Sequence, residues 1–189
     1  MCIHSIEIDE RFRPELENLA LSNNRLVLHW GDAVKYDYSS LSPFPNKVIA
    51  NIPYNITTPL IWELLKFAHK GLKYFLLMLQ KDAALRIIAP SHSKSRYPLG
   101  VCIEAMGYAK ILRSVNPQCF RPVPKVDSAI TEIALSRNLD LPRYELWSDL
   151  LHKGFAHRRK VLANNLKDFD ILEELARKRA EDLSCDEWL

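Results

Sequence analysis

The chain has 189 residues, of which 48% are hydrophobic and 26% are charged, and its formal net charge is +3. This composition is typical of a globular protein and excludes a globally disordered chain, while the absence of a run of about 18 apolar residues argues against a membrane-spanning helix. The N-terminal "MCIHSIEIDERF" meets acidic charge too early for a signal peptide, so we expect a soluble, cytoplasmic protein. The four cysteines form no C-x-x-C pair and the six histidines lack ligand spacing, so no metal site is predicted.

Charge is distributed unevenly along the chain. Residues 86–167 contain 14 basic and 6 acidic residues, whereas residues 168–189 contain 3 basic and 8 acidic residues. A basic central region favours a polyanionic partner. The acidic end is interpreted more simply as a solvated helix face.

In the first half, short apolar runs alternate with helical patterns, which is typical of a parallel sheet with crossover helices. We predict strands at "IHSIEID", "RLVLHW", "KVIAN" and "KYFLLMLQ". The helix after "KVIAN" should have Thr58 as its N-cap and Pro59 in its first turn. Its apolar face is expected at Leu60, Ile61, Leu64, Leu65 and Ala68.

The second half begins with a predicted helix at "LGVCIEAMGY", followed by "AKILRSV" and "SAITEIAL" as two strands that could pair antiparallel. Prolines in the intervening "NPQCFRPVPKVD" predict an extended, exposed loop. From Leu141 onward the pattern is helical. A boundary near "SRNLDLP" would divide the chain into domains at residues 1–138 and 139–189.

Carboxylates follow the first two predicted strands, with Glu7 and Asp9 after the first and Asp32 after the second. In open α/β sheets ligands bind at the carboxyl ends of strands. There a carboxylate can accept hydrogen bonds from a ribose diol or from an exocyclic amine. Each residue alone could be a helix cap or turn former, but together they favour a nucleoside cofactor.

The third strand runs into Asn51-Ile52-Pro53-Tyr54-Asn55. The amine of a nucleobase is a poor nucleophile because its lone pair is delocalised into the ring. The Asn51 oxygen and a backbone carbonyl beside Pro53 could accept both of its N–H groups and stabilise the charge that develops on nitrogen. Tyr54 could stack on an unstacked base. The alternative is an ordinary turn before a helix.

Six segments occur in the order of one known family: "IEIDERF", "GDAVKYD", "NIPYNITTPLI", "MLQKDAALRI", "FRPVPKVDSAI" and "GFAHRRKVLANNL". By these the chain resembles the ribosomal RNA adenine dimethyltransferases, which use S-adenosylmethionine to dimethylate adenine N6. The resemblance implies an α/β, Rossmann-like methyltransferase sheet with a small, all-helical C-terminal domain. The segments "TTPLIWELL", "PKVDSA" and "RRKVLANNL" are more similar to the small-subunit branch of the family than to the large-subunit branch.

The resemblance also implies roles for individual residues. Its catalytic motif corresponds to Asn51, Ile52, Pro53 and Tyr54, with Tyr54 and Phe120 stacking on the target base. Cofactor contacts are expected from Glu7, Ile8, Asp32, Ala33 and Asn51. RNA contacts are expected from Arg121, Lys125, His157, Arg158, Arg159 and Lys160, of which the last four match a helical segment of the C-terminal domain. The implied partner is small-subunit ribosomal RNA or a pre-ribosomal particle, bound by a monomer.

One part of the family pattern has no counterpart: its first strand and the G-x-G-x-G loop that holds the methionine end of the cofactor. In the family that strand lies between the strands matching "IHSIEID" and "KVIAN", so we expect two unpaired sheet edges here. Either the chain is an N-terminally shortened version of a longer protein, or the gap closes by rearrangement or through a partner. A non-catalytic RNA-binding or ribosome-assembly module therefore remains an alternative, while DNA amino-methylation is disfavoured by the last two segments.

Overall fold

The computed structural model describes residues 1–137 and 141–189. Within them the chain forms six strands and eight α-helices. The strands are β1 (Ile3–Glu7), β2 (Leu26–Trp30), β3 (Lys47–Asn51), β4 (Tyr74–Gln80), β5 (Gly107–Val115) and β6 (Ser128–Leu135). The helices are α1 (Arg13–Ser22), α2 (Thr57–Leu65), α3 (Lys81–Ile87), α4 (Pro98–Met106), α5 (Leu141–Gly154), α6 (Leu162–Asn165), α7 (Glu173–Ala176) and α8 (Cys185–Trp188).

The six strands form two sheets. In one, β1 and β2 run parallel, with Ile3 opposite Leu26 and Glu7 opposite Trp30. In the other, the order is β3-β4-β6-β5, with β3 parallel to β4 and with β6 antiparallel to both of its neighbours. The six predicted strands are therefore confirmed, as is the antiparallel pairing of the last two.

The core lies against one face of the four-stranded sheet. Along β4 the side chains of Phe75, Leu77 and Leu79 are fully buried, while the residues between them are only half-buried. This alternation follows from the two-residue period of a strand, which sends successive side chains to opposite faces. The buried faces of α2 and α4 belong to the same apolar cluster, so the strand that leads into the Asn51 motif is anchored beside a strand with a fully buried face.

The start of α2 differs from the prediction. The helix begins at Thr57, its N-cap is Ile56, and no side chain caps it, so the assignment of Thr58 as N-cap is wrong. The Thr57 hydroxyl donates to the Pro53 carbonyl at 3.5 Å, and the helix begins two residues earlier than predicted. The predicted apolar face of this helix is buried.

The C-terminal residues are more closely packed than a solvated helix face would be. Beyond α5 the helices are short, and Trp188 is buried with its ring stacked on Phe155 at a centroid distance of 5.6 Å. The Trp147 indole donates to the Trp188 carbonyl at 3.1 Å. The interpretation of the whole acidic end as a solvated face is therefore wrong at its last turn. The predicted domain boundary at residue 138 lies outside the described residues and stays a prediction.

The two sheets are not hydrogen-bonded to each other, in agreement with the expectation of two unpaired edges. In β1, Ile3 and Glu7 bond to the β2 side, so the alternation of a parallel ladder turns the backbone groups of His4 and Ile6 away from β2. A cavity of about 420 Å³ separates the sheets and is lined by residues of both β1 and β3. We call it the inter-sheet cavity.

Candidate active site

The end of β1 presents one open carboxylate oxygen. Oε1 of Glu7 accepts hydrogen bonds from the backbone amides of Ile8 and Asp9, both at 2.8 Å, whereas Oε2 has no hydrogen-bond partner among the described residues. Hydrogen bonds from Arg11 lower the pKa of the Asp9 carboxyl to about 2. Glu7 can therefore accept from a diol, while Asp9 is already engaged by Arg11.

The end of β2 lies beside the end of β1. The Gly31 amide donates to the Glu7 carbonyl at 2.8 Å. Oδ1 of Asp32 accepts from the Val34 amide at 2.8 Å, and the Ala33 carbonyl accepts from the Tyr38 hydroxyl at 2.7 Å. Asp32 thus retains one oxygen for a ligand, in a turn whose shape is held by the buried Tyr38.

The end of β3 presents two open acceptors, that is, acceptors with no hydrogen-bond partner among the described residues: one on the exposed Asn51 and one on the buried Ile52. The side chain of Asn51 is exposed and makes no hydrogen bond to another described residue. The Ile52 amide donates to the Met78 carbonyl at 3.3 Å, but no described residue donates to the Ile52 carbonyl. The Pro53 carbonyl instead accepts from the Ile56 amide at 3.1 Å and from Thr57. Of the carbonyls beside Pro53, that of Ile52 is the one available to a substrate amine.

Tyr54 is held by a residue that the sequence analysis did not select. Tyr54 is 37% exposed, and its hydroxyl lies 2.7 Å from the Ser128 hydroxyl. Ser128 is fully buried at the start of β6, opposite Gln80 in the ladder. The ring is therefore fixed at its far end while its face stays open. The only sequence signal for Ser128 is its place in "PKVDSA", at the edge of a predicted strand.

Phe120 lies in the loop that leads to Ser128. It is half-buried and follows a short 3-10 turn at Pro117–Cys119, and no ring contact joins it to Tyr54 among the described residues. The end of the loop is tied to the sheet because the Lys81 amide donates to the Asp127 carbonyl at 2.9 Å. Arg121 and Lys125 of the same loop are exposed.

The basic segment from His157 to Lys160 is a turn after α5, so its assignment to a helical segment is wrong. The reason is a contact with the end of the chain: α5 ends at Gly154, where an added Cβ would lie 2.5 Å from the Trp188 ring, and the Asn165 amide donates to the Gly154 carbonyl at 2.5 Å. His157, Arg159 and Lys160 are exposed.

Arg158 differs from its neighbours because it is engaged within the chain. Its guanidinium lies 2.6 Å from the Glu181 carboxylate and donates to the Lys94 carbonyl. The same group lies 4.5 Å from the centroid of the Tyr97 ring. The Arg158 guanidinium is therefore held by contacts within the chain.

The strand ends suit the nucleoside half of S-adenosylmethionine. Open oxygens on Glu7 and Asp32 lie at adjacent ends of β1 and β2, and Ile8 beside them is an apolar side chain that is 66% exposed. A flat base and a ribose need this combination of apolar surface and a few placed acceptors. For the methionine half, no described residue can be assigned as a contact.

Among the described residues, no group of three or more His, Cys, Asp or Glu side chains is arranged to hold a metal ion. In the same part of the chain, no helix has the length and apolar character needed to cross a bilayer.

Comparison with known sequences identifies one family. The profile described as ribosomal RNA adenine dimethylase matches residues 3–180. The ribosomal RNA small subunit methyltransferase A of Rubrobacter xylanophilus is 37% identical over 165 residues, which cover 87% of this chain and 62% of the relative. The protein of the same name from Nitrosospira multiformis is 34% identical over 195 residues, covering 99% of this chain and 74% of the relative. The chain thus spans less than two thirds of the length of the first of these relatives.

Comparison with solved structures shows the fold. A dimethyladenosine transferase from Plasmodium falciparum superposes with a TM-score of 0.76 at 24% identity, covering 99% of this chain and 79% of the other. The 23S rRNA methyltransferase ErmE superposes with a TM-score of 0.69 at 18% identity, with the same coverage. Both likenesses show a Rossmann-like α/β fold.

Proposed function

The chain belongs to the ribosomal RNA adenine dimethylase family, and from this premise we propose that it methylates the N6 amine of an adenine in small-subunit ribosomal RNA, with S-adenosylmethionine as methyl donor, to give N6,N6-dimethyladenosine. The observation that carries the proposal is the pair of open acceptors at the end of β3. The relatives named above, at 34% and 37% identity, support the small subunit as the substrate.

The open acceptors suit an amine that must become a nucleophile. The Asn51 side-chain oxygen and the Ile52 carbonyl can each accept one N–H of the adenine amine. Two acceptors held in place favour the pyramidal nitrogen, whose lone pair is no longer shared with the ring, and stabilise the positive charge that develops as the new N–C bond forms. Asn51 ends a strand that is hydrogen-bonded to β4, and Ile52, which follows it, also donates to that strand at Met78, so little reorganisation is needed.

Tyr54 supplies the surface on which the base rests. An adenine inside a helix cannot reach these acceptors, so the base must leave its stack, and aromatic stacking compensates for part of that loss. Because the Ser128 contact fixes the hydroxyl of Tyr54, the ring is oriented before RNA binds. Preorganisation of this kind lowers the entropy lost on binding.

On the cofactor side, this chain provides the contacts to the nucleoside. Glu7 would hold the ribose diol, Asp32 and the backbone of Ala33 would hold the adenine, and Ile8 would cover a face of the ring. When bound, S-adenosylmethionine supplies an electrophilic methyl group on its sulfonium. The contribution of β1 and β2 is therefore to place the cofactor near the end of β3.

The test uses the 189-residue chain, S-adenosylmethionine and small ribosomal subunits that lack the modification, with dimethyladenosine measured by mass spectrometry of digested RNA. Asn51→Ala should lower the methylation rate about 100- to 1,000-fold, the loss typical of removing one preorganised hydrogen-bonding group from a transition state. Asn164→Ala is the matched control, because Asn164 is an exposed amide on α6 and its loss should leave the rate unchanged.

Two results would contradict the proposal. One is an unmodified chain that produces no dimethyladenosine under conditions where it binds both cofactor and subunits. The other is equal activity of the Asn51→Ala and Asn164→Ala variants.

A further inference from the structure

A second cavity, of about 270 Å³, lies among α2, α3, the start of α4 and α5. We call it the helix-face cavity. None of its lining residues lines the inter-sheet cavity, and none is among the residues assigned to the site above. It borders the first residue of α2, Thr57, which follows Tyr54 by three positions. The cavity is therefore a separate feature on the chain segment that leaves the target site.

Two aromatic side chains line this cavity, each with a polar side chain beside its ring. The Arg86 guanidinium lies 4.9 Å from the centroid of the Tyr97 ring, and the Arg158 guanidinium also contacts that ring. The Trp62 and His152 rings lie with centroids 4.7 Å apart. Trp62 and Tyr97 are half-buried, whereas Arg86 and His152 are exposed, so aromatic surface lies inside and polar groups lie at the rim.

His152 adds a defined polar group. Its Nδ1 lies 2.7 Å from the Ser148 carbonyl, and since a carbonyl can only accept, Nδ1 carries the hydrogen. In the neutral ring Nε2 is then an acceptor, and no described residue bonds to it. The rim therefore offers an acceptor at His152 and donors at Arg86.

The floor of the cavity is rigid. Gly100, near the start of α4, lies directly on the end of α3, where an added Cβ would be 2.8 Å from the Ile87 carbonyl. This close backbone contact fixes the distance between the two helices that bear Tyr97 and Arg86. The aromatic surface is thus preformed, as in most small-ligand sites.

We propose that the helix-face cavity binds one unstacked base of single-stranded RNA, beside the base that Tyr54 holds. Its volume lies just below the range of about 300–1,000 Å³ of pockets for drug-sized ligands, which suits a single ring system. Aromatic surfaces that stack on bases, with arginines nearby, are how proteins hold unpaired RNA. No carboxylate is among the residues that line the cavity, whereas the Arg86 guanidinium is. The inference rests on the proposed function only in taking RNA as the substrate.

Binding of labelled single-stranded oligoadenylate, followed by fluorescence anisotropy at one fixed salt concentration, tests this. Tyr97→Leu should weaken binding about 5- to 100-fold, the range expected for loss of one base-stacking ring. Tyr108→Leu is its matched control, because Tyr108 is an exposed tyrosine on β5. Arg86→Gln should weaken binding more than Arg25→Gln does. Each substitution removes one exposed positive charge, so both variants lose the same nonspecific electrostatic attraction to RNA. Any additional loss of affinity in Arg86→Gln is therefore due to the cavity.

Thermal unfolding of each variant establishes that it is folded, and if Tyr97→Leu does not fold, the two arginine variants decide. Equal affinities within each matched pair would overturn the proposal. A second result would also overturn it: Tyr97→Leu weakens the binding of adenosine monophosphate but not that of oligoadenylate. The cavity would then be a small-molecule site.

Dimethyladenosine formation is measured separately. If the unmodified chain forms none while the Tyr97 and Arg86 variants still weaken RNA binding, the proposed function is wrong and this inference stands.

Discussion

The two sheets contribute to the candidate active site from very different surroundings. Among residues 1–37, which include β1, α1 and β2, no side chain is buried. In the four-stranded sheet, by contrast, β4 and β6 each bury every second side chain. The residues proposed to hold the cofactor come from the first region, and those proposed to grip the target amine come from the second.

The two halves of the site are therefore stabilised by different forces. Burial of apolar area stabilises a fold by about 25 cal/mol per Å², and an isolated two-stranded sheet is marginal in water. The first region depends instead on polar contacts, such as those of Glu7 with the backbone and of Asp32 with Val34. We infer that the residues proposed to hold the target amine are rigid. The residues proposed to hold the cofactor gain order when it binds, because a ligand stabilises the state that binds it.

The largest expected effect compares one substitution in the two regions. Phe75 is fully buried in β4, and Phe12 is 53% exposed beside α1. Phe75→Ala should lower the free energy of unfolding by about 3–5 kcal/mol through lost burial and the cavity left behind. Phe12→Ala should change it by less than about 0.5 kcal/mol, as for most surface positions. Urea unfolding followed by circular dichroism measures both.

Similar losses from the two phenylalanine variants would break the comparison, since they would mean that the first region has a buried core of its own. A sharper form of the test follows amide hydrogen exchange in the unmodified chain. Amides of β1 and β2 should exchange faster than those of β4 and β6, because local opening requires less free energy where few apolar contacts are lost.

An intermediate effect concerns the rigidity of the target side. Ser128→Ala removes the partner of the Tyr54 hydroxyl, and kcat/KM for RNA methylation should fall about 3- to 10-fold, which corresponds to one net hydrogen bond of about 0.5–1.5 kcal/mol. Tyr54→Phe should have a similar effect. The double variant should be little worse than either single variant, because all three lose the same contact. Ser114→Ala, on an exposed position of β5, is the control.

Additive losses in the double variant would argue against this reasoning. They would show that Ser128 and Tyr54 act separately, so that the ring is oriented by something other than their hydrogen bond. The target side would then be no more preorganised than the cofactor side.

The sequence predicted the strands of both regions because the two-residue alternation and the apolar runs are local properties. It also located the side chains at the strand ends, since topology brings carboxyl ends of parallel strands to one edge. What it missed depends on contacts between distant residues. Ser128 holds Tyr54 across the sheet, and Gly154 ends α5 against Trp188, and neither contact leaves a pattern in the neighbouring sequence.

The helix-face cavity was missed for the same reason. Trp62, Arg86, Tyr97 and His152 come from α2, α3, the start of α4 and α5, so their spacing in the chain carries no motif. The start of α2 was misplaced by two residues, because a bond from the Thr57 hydroxyl to the Pro53 carbonyl competes with capping by Thr58. Local propensity was outweighed there by the geometry of the turn at Pro53.

The smallest expected effect is a dependence on pH that is confined to the first region. His4 and His29 face each other on β1 and β2 with Nδ1 and Nε2 3.0 Å apart, and the other nitrogen of His29 lies 2.7 Å from the Tyr36 hydroxyl. Burial, and secondly the charge on His4, lower the pKa of His29 below its usual 6.5. The unfolded region therefore takes up a proton that the folded one resists. Stability is present above about pH 6.5 and is lost as the pH falls from there toward the lowered pKa.

Hydrogen exchange at about pH 7.5 and about pH 5.5, corrected for intrinsic exchange rates, should show β1 and β2 loosening at the lower pH relative to β4 and β6. The change should be modest because His29 is partly exposed and solvent screens its charge. His29→Gln should remove the pH-dependent part, whereas His69→Gln, at an exposed position far along the chain, should leave it. If β4 and β6 loosened as much as β1 and β2, the acid effect would belong to the whole fold, and the two regions would unfold as one cooperative unit.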